Sequence, residues 1–272
     1  MKLFRTLAAG ITMLLAVSFA SAQTIVVLAS TLSHKVLTID STATDQRVPV
    51  VQADYVNTPN QRWTLHSAGG GKYYIYNTAD GRALEATTSV ENEALYASDL
   101  NWEDGHQMWR FSFTGLGERA ITSAFNGLAI ATDGNNWWEE NAPVIQTRSG
   151  NALTGWLVVP VHSVPSCGAF TAEGHDGLGY IHLARVRNAL RVGFWTWSEP
   201  NGQGTAIWRE AIYIPSTDTW EYAGVEVESP TDVSVTYRVD AYGLGADNQW
   251  RYFGTTSQIF TPRTRILPPP RQ

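Results

Sequence analysis

Side chains suited to ligand contact first meet where two adjacent indoles are set in a run of amides and carboxylates. Trp137 and Trp138 lie between Asp133-Gly134-Asn135-Asn136 and Glu139-Glu140-Asn141, and Trp102 lies within Asn101-Trp102-Glu103-Asp104-Gly105. An indole in a polar loop leaves a large apolar face in water unless something covers it. One cover is the C–H face of a sugar ring, whose hydroxyls the neighbouring carboxylates and amides can fix in direction. The other is the protein itself, if one indole of each group folds back as a plug. Tyr55 and Tyr96 are open to the same two readings.

Other constellations fit their chemistries poorly. His162, Cys167, His175, Asp176 and His182 crowd into one stretch, but their spacings match none of the tight ligand patterns that preorganise zinc. Gly69-Gly70-Gly71-Lys72 lacks the Ser/Thr and the helix of a phosphate loop and reads as a hairpin loop. Glu103-Asp104 and Glu139-Glu140 are neighbours in their loops, whereas a glycosidase needs two carboxyl groups opposed across a cleft. Neither a nucleophile elbow nor a His-x-Glu signature is present. The reading is therefore of a non-catalytic chain with no cofactor and no resident metal.

These residues need a frame, and the frame is written as a repeat. Gln61-Arg62-Trp63, Gln107-Met108-Trp109 and Thr154-Gly155-Trp156 close similar phrases 46 and 47 residues apart. Upstream, residues 28–37, 75–84 and 121–130 share one order of apolar run, polar run, turn and apolar residue, with Gly81 and Gly127 at the turn. Pro49-Val50-Val51-Gln52 recurs as Pro143-Val144-Ile145-Gln146. A unit this short cannot bury its own apolar face, so the copies must share one core. Three copies predict a closed threefold body.

Over residues 24–162, repeats of this length ending in Gln-x-Trp resemble the ricin-B-type lectins. The resemblance implies a β-trefoil that binds carbohydrate. It also implies, in each competent repeat, an aspartate after the first apolar strand, an aromatic on the next hairpin, and an Asn or Gln before the closing tryptophan. Here the carboxylate position falls on Thr38, Glu85 and Ala131, and the aromatic position near Ala53, Ser98 and Thr147. The amide position falls on Asn60-Gln61, His106-Gln107 and Leu153-Thr154, so no repeat keeps the whole set. The expected glycan contacts are Tyr55, Asn60, Glu85, Trp102, Trp137 and Trp138. Gln61, Gln107 and the three repeat tryptophans are expected to serve the fold.

The remaining chain reads as further β-structure. Pro165, Gly168, Gly174, Gly177 and Gly179 give residues 163–179 the look of a linker or of an extended entry to a second unit. Alternation of Leu190, Val192 and Phe194 with polar or outward residues, and of Val233, Val235, Tyr237 and Val239 with theirs, predicts a β-sandwich over residues 180–264. Trp197-Ser198-Glu199-Pro200 and Tyr237-Arg238-Val239-Asp240-Ala241 resemble fibronectin type III or immunoglobulin-like strands. The fold class is all-β: an amino-terminal β-trefoil (residues 23–162) followed by a carboxy-terminal β-sandwich. Pro268-Pro269-Pro270 marks residues 265–272 as an extended tail.

Residues 1–22 read as a cleavable signal peptide, with basic Lys2 and Arg5, an apolar stretch from Leu7 to Phe19, and small residues Ala20-Ser21-Ala22 before Gln23. The expected location is secreted, or periplasmic in a cell with an outer membrane. No later apolar run is long enough to span a bilayer. Net charge is −6 for the whole chain. An acidic chain without a basic stripe is a poor partner for nucleic acid. Cys167 is the sole cysteine, which excludes an internal disulfide. The expected partner is a glycan or polysaccharide. The rival readings are a protein-binding module, acting through loops or the sandwich, and a small secreted hydrolase.

Overall fold

Each repeat folds as four strands in the same order: a barrel strand, the two strands of a hairpin, and a second barrel strand. The computed structural model describes residues 23–40, 43–114, 117–175, 178–226 and 234–260; the expected signal peptide and residues 265–272 lie outside them. Repeat one supplies β1 (Thr24–Ser30), β2 (Val36–Ile39), β3 (Arg47–Ala53) and β4 (Trp63–Gly69). Repeat two supplies β5 (Lys72–Asn77), β6 (Ala83–Glu85), β7 (Tyr96–Ser98) and β8 (Met108–Phe113). Repeat three supplies β9 (Arg119–Ser123), β10 (Ala129–Thr132), β11 (Val144–Thr147) and β12 (Trp156–Pro160). Strands β1, β4, β5, β8, β9 and β12 pair in that order, and β12 returns to β1, so the barrel has no open edge. The hairpins keep one register, Val36↔Ala53, Ala83↔Ser98 and Ala129↔Thr147. This is a β-trefoil.

The tryptophans explain the repeat. Trp63, Trp109 and Trp156 are fully buried, and each indole Nε1 donates to a hairpin carbonyl, of Leu37, Leu84 and Ile130 respectively, at 2.9 Å. Opposite them in the barrel stand Asn77, Ser123 and Ser30. Each of these opens the turn before the next hairpin, and its carbonyl accepts from the amide of Gly81, Gly127 or His34 at 3.0 Å. That amide's residue is left-handed in all three turns, with φ of 79°, 76° and 58°. Repeat one therefore makes the glycine turn with a histidine, which is why its turn is hard to see in the sequence.

Eight more strands follow: β13 (Phe170–His175), β14 (Leu178–Ala184), β15 (Arg191–Ser198), β16 (Ile207–Glu210), β17 (Ile212–Ile214), β18 (Thr219–Glu226), β19 (Val235–Leu244) and β20 (Trp250–Phe260). They form two sheets, ordered β13-β14-β18-β17 and β16-β15-β19-β20. That is a sandwich with immunoglobulin-like strand order. Residues 163–179, expected as a linker or an extended entry to the second unit, contain β13 and the start of β14. Two of their glycines serve packing: a Cβ on Gly174 or Gly179 would overlap the ring of Phe260.

The two bodies share a core. On β1, Val26 and Leu28 face the barrel interior with the tryptophans, while Val27 and Ala29 join a cluster that includes Leu183, Leu190, Phe194 and Trp220 of the sandwich. On β12, Leu157 and Val159 do the same. Strands covered on both faces read as continuous apolar runs, hence Thr-Ile-Val-Val-Leu-Ala and Trp-Leu-Val-Val. Polar ties flank this seam: the Tyr55 hydroxyl donates to the Ala246 carbonyl, and the His34 ring lies 5.3 Å from that of Trp220.

Trp109→Phe keeps an aromatic ring but leaves the buried Leu84 carbonyl without its donor, so a loss of about 2–3 kcal/mol is expected in urea denaturation. At the seam, burial lowers the pKa of His34 from its usual 6.5, with Glu210 opposing and Arg191 assisting. The unfolded chain then binds a proton that the folded one does not. Stability is complete above 6.5 and declines as pH falls through that value toward the lower folded one. The thermal midpoint should fall between about pH 7.5 and about pH 6, and His34→Asn, which tolerates the left-handed backbone, should flatten that slope.

Candidate functional site

The threefold register fixes where each repeat could present a ligand-binding group. The residue after each tryptophan-bonded carbonyl is Thr38, Glu85 or Ala131, and all three are buried. The Thr38 hydroxyl donates to its own strand, at the Val36 carbonyl, at 3.0 Å. The Glu85 carboxylate is paired with Arg47 at 2.6 Å and accepts a hydrogen bond from the Ser98 hydroxyl. Ser98 occupies the hairpin position at which the lectin pattern would set an aromatic. Glu85 is thus held inside the repeat, with Arg47 as its solvent-facing partner.

The amide positions serve the backbone. Gln61 accepts from the Val56 amide at 2.8 Å and donates to the Asp54 carbonyl at 2.7 Å. Gln107 repeats this with the Asn101 amide at 2.9 Å and the Asp99 carbonyl at 3.0 Å. Thr154, where the third glutamine would stand, reaches only the Asn151 carbonyl, at 2.9 Å. Asn60 donates to the Ile39 carbonyl at 2.9 Å, so its amide stitches the loop to β2. Tyr55 is half-buried at the seam with the sandwich. Burial first, then the charge of Asp247, pushes its hydroxyl above the ordinary tyrosine range, against the pull of Arg62.

The polar-loop indoles have different fates. Trp102 leans on the barrel, with ring centroids 4.7 Å from His66, 5.0 Å from Tyr74 and 6.2 Å from Tyr76, and is 49% exposed. Trp137 and Trp138 meet edge to face at 5.5 Å, and Trp138 is 56% exposed. Their loop is held from below. Buried Gln52, from the recurring Pro-Val-Val-Gln phrase, donates to the carbonyls of Trp137 at 2.8 Å and Glu139 at 3.1 Å. Within the loop, Asp133 accepts from the Asn135 amide at 3.1 Å and the Asn136 side chain at 3.0 Å.

A charged clamp fixes the other end. Lys35 lies 2.7 Å from both Asp54 and Glu140, and Glu140 also accepts from the Asp54 amide at 3.0 Å. Burial on its own would lower the Lys35 pKa; the two carboxylates outweigh it and hold the ammonium above its ordinary value. The third-repeat loop is thereby tied to the hairpin of repeat one. Gln146 performs the matching task one repeat earlier, donating to the carbonyls of Val90 at 2.8 Å and Thr88 at 3.0 Å. The recurring glutamine phrase is therefore a loop-stitching device between repeats, which the sequence alone does not show.

The six expected contacts do not converge. Tyr55 sits in repeat one at the seam and Asn60 in the same repeat against β2, Glu85 and Trp102 in repeat two with separate partners, and Trp137 with Trp138 in repeat three. A cavity of about 510 Å³ opens at one end of the barrel, lined by Val26, Leu65, Tyr73, Phe111 and Val158 among others, and none of the six lines it. Among the described residues no three His, Cys, Asp or Glu side chains gather as ligands; Asp176 lies outside them. Cys167 is half-buried, and burial pushes its thiol up. Sequence reasoning passed over a set of outward aromatics on the sandwich, Trp195, Trp208, Tyr242, Trp250 and Tyr252, whose signal was tryptophan on the wet side of an alternating strand.

Residues 18–98 match the family described as "Ricin-type beta-trefoil lectin domain-like". A comparison with curated proteins finds no match. Among solved structures, the chain is similar to a designed threefold-symmetric protein, ThreeFoil, with 24% identity over 50% of this chain and 97% of that one, at a TM-score of 0.46. It is similar to an exo-β-1,3-galactanase from Clostridium thermocellum, with 26% identity over 50% of this chain and 30% of that one, at a TM-score of 0.47. It is also similar to the Rhizoctonia solani agglutinin, with 13% identity over 51% of this chain and 96% of that one, at a TM-score of 0.44.

Gln52→Ala deletes the side-chain bonds to the carbonyls of Asn136, Trp137 and Glu139 in the double-tryptophan loop and leaves those carbonyls to find water. A destabilisation of about 1–3 kcal/mol is expected. Hydrogen exchange should rise at the amides of residues 136–141, while the barrel strands keep their protection.

Proposed function

We propose that this chain is an exported, non-catalytic carbohydrate-binding protein that captures glycan on its trefoil, chiefly through the loop carrying Trp137 and Trp138. One observation carries the reading: two indoles, one of them largely in water, are displayed on a loop whose backbone is fixed by buried Gln52 and by the Lys35–Glu140 pair. A loop held so firmly loses little freedom on binding, so the stacking of a sugar ring is not offset by ordering the site. Asp133, Asn135 and Glu139 flank the rings and supply acceptors and donors for hydroxyls. The ricin-type lectin-like match over residues 18–98 supports carbohydrate as the ligand class. The signal-peptide pattern of residues 1–22 supports export.

A second reading, a trefoil that has lost its sugar pockets and presents loops to a protein, is favoured by one specific fact. The only carboxylate at the three lectin positions, Glu85, is buried and committed to Arg47 and Ser98. Exposed indoles also anchor protein interfaces. Binding of the purified protein to a glycan array separates the two, because the protein-module reading expects none.

Replacing both Trp137 and Trp138 by alanine should abolish retention on a polysaccharide column and leave the thermal midpoint nearly unchanged, since the loop lies outside the cores. Undiminished retention of that variant would rule the loop out.

A further inference from the structure

We propose that the outer face of the sheet β16-β15-β19-β20 is a second carbohydrate-binding site, an aromatic cradle for single chains of a neutral polysaccharide. The cradle begins with an absence. Gly193 stands on the outward side of β15, and a Cβ there would overlap the indole of Trp208 from the neighbouring strand. Without it, Trp208 lies across β15 and reaches other aromatics. Its ring centroid is 5.3 Å from Trp195, 4.9 Å from Trp250 and 6.2 Å from Tyr242, and Tyr242 lies 5.4 Å from Tyr252. Four strands contribute to one patch.

The patch faces water. Trp195 is 39% exposed, Trp250 41% and Tyr252 56%, which is unusual for a contiguous set of large rings. The inward side of the same strands already fills the core with Val192, Phe194, Val239 and Ala241. The fold does not need these aromatics on its outer side.

The ring angles and the polar rim decide the ligand. Trp195 and Trp250 meet Trp208 at 62° and 81°, so the patch presents faces in more than one direction and suits a single chain better than a flat crystal surface. Beside the rings, Thr255 donates to Asp240 and shares a 2.5 Å hydrogen bond with the Tyr252 hydroxyl. Two arginines of this face are matched by carboxylates, Arg191 with Glu210 and Arg238 with Glu199. An anionic chain would want an uncompensated arginine, and Arg191 and Arg238 are both already paired. A neutral ring with one apolar face and many hydroxyls matches both the indoles and the rim.

The cradle also connects to the trefoil. Asp54, which shares Lys35 with Glu140 of the double-tryptophan loop, acts electrostatically on Arg191. A glycan long enough to engage both aromatic groups would gain by avidity. The cradle does not rest on the trefoil reading and stands if that reading fails.

The test is affinity electrophoresis in gels containing hydroxyethyl cellulose, glycol chitin, xylan or soluble β-1,3-glucan. The full chain is compared with Trp208→Ala/Trp250→Ala, Trp195→Ala, Gly193→Val and Trp137→Ala/Trp138→Ala. At least one polymer should retard the wild type. On that polymer the Trp208/Trp250 pair should weaken apparent affinity by about ten-fold or more. Gly193→Val, which removes no ring, should weaken it too by displacing Trp208. Trp195→Ala, a single change at an exposed ring, serves if the double variant fails to fold. Retardation retained by the Trp137/Trp138 variant and lost only when the cradle is also changed supports this site and sinks the loop reading. The proposal is overturned if no polymer retards the wild type, if every folded cradle variant runs like the wild type, or if the Trp137/Trp138 change alone removes all retardation. It is also overturned if sedimentation shows a wild-type dimer that the cradle variants dissociate, because a second copy then occupies the face.

Discussion

A buried indole N–H must find an acceptor, and in this chain it finds the same one three times. Trp63, Trp109 and Trp156 each reach from a barrel strand to a hairpin carbonyl, so each barrel strand is locked to the cap of its own repeat. The bond fixes more than a contact. Once the carbonyl of Leu37, Leu84 or Ile130 is held, the hairpin register follows, and with it the places where Thr38, Glu85 and Ala131 must lie. The loops beyond those strands inherit their positions from it.

The second constraint is that two strands of the barrel serve two cores. β1 and β12 bury the alternate faces of one apolar run, one set against the tryptophans and the other against the sandwich. A β-strand reverses its side chains at every residue, so a fully apolar strand is stable only where both faces are covered. The sandwich is the cover. This makes it part of the trefoil's stability as well as a neighbour, and it brings Tyr55 and His34 of repeat one to a junction instead of to solvent.

Function then depends on what is left outward and rigid. The threefold plan provides three equivalent positions, and they carry different residues: one carboxylate is committed internally, and two positions carry none. Exposed aromatic surface lies elsewhere, on a stitched loop of repeat three and on the outer sheet of the sandwich. In both places a neutral or small residue makes the display possible. Gln52 fixes the loop from beneath, and Gly193 lets an indole lie flat.

The sequence by itself determined the threefold frame, because a period of 46 and 47 residues ending in tryptophan leaves few ways to bury such large rings. It also showed the alternating strands of the second half, because period-two burial is local. It left residues 163–179 open between a linker and an extended entry to the second unit, since glycine that admits Phe260 looks the same as glycine in a linker. It placed Gln52 and Gln146 in a recurring phrase without revealing that they stitch loops of another repeat. Only the tertiary structure decided that Glu85 is committed to Arg47, that Trp102 leans on Tyr74 while Trp138 stays in water, and that five aromatics of four strands share one face. The reason is physical: periodicity is a property of neighbours along the chain, whereas exposure and partnership are set by which distant strand arrives opposite.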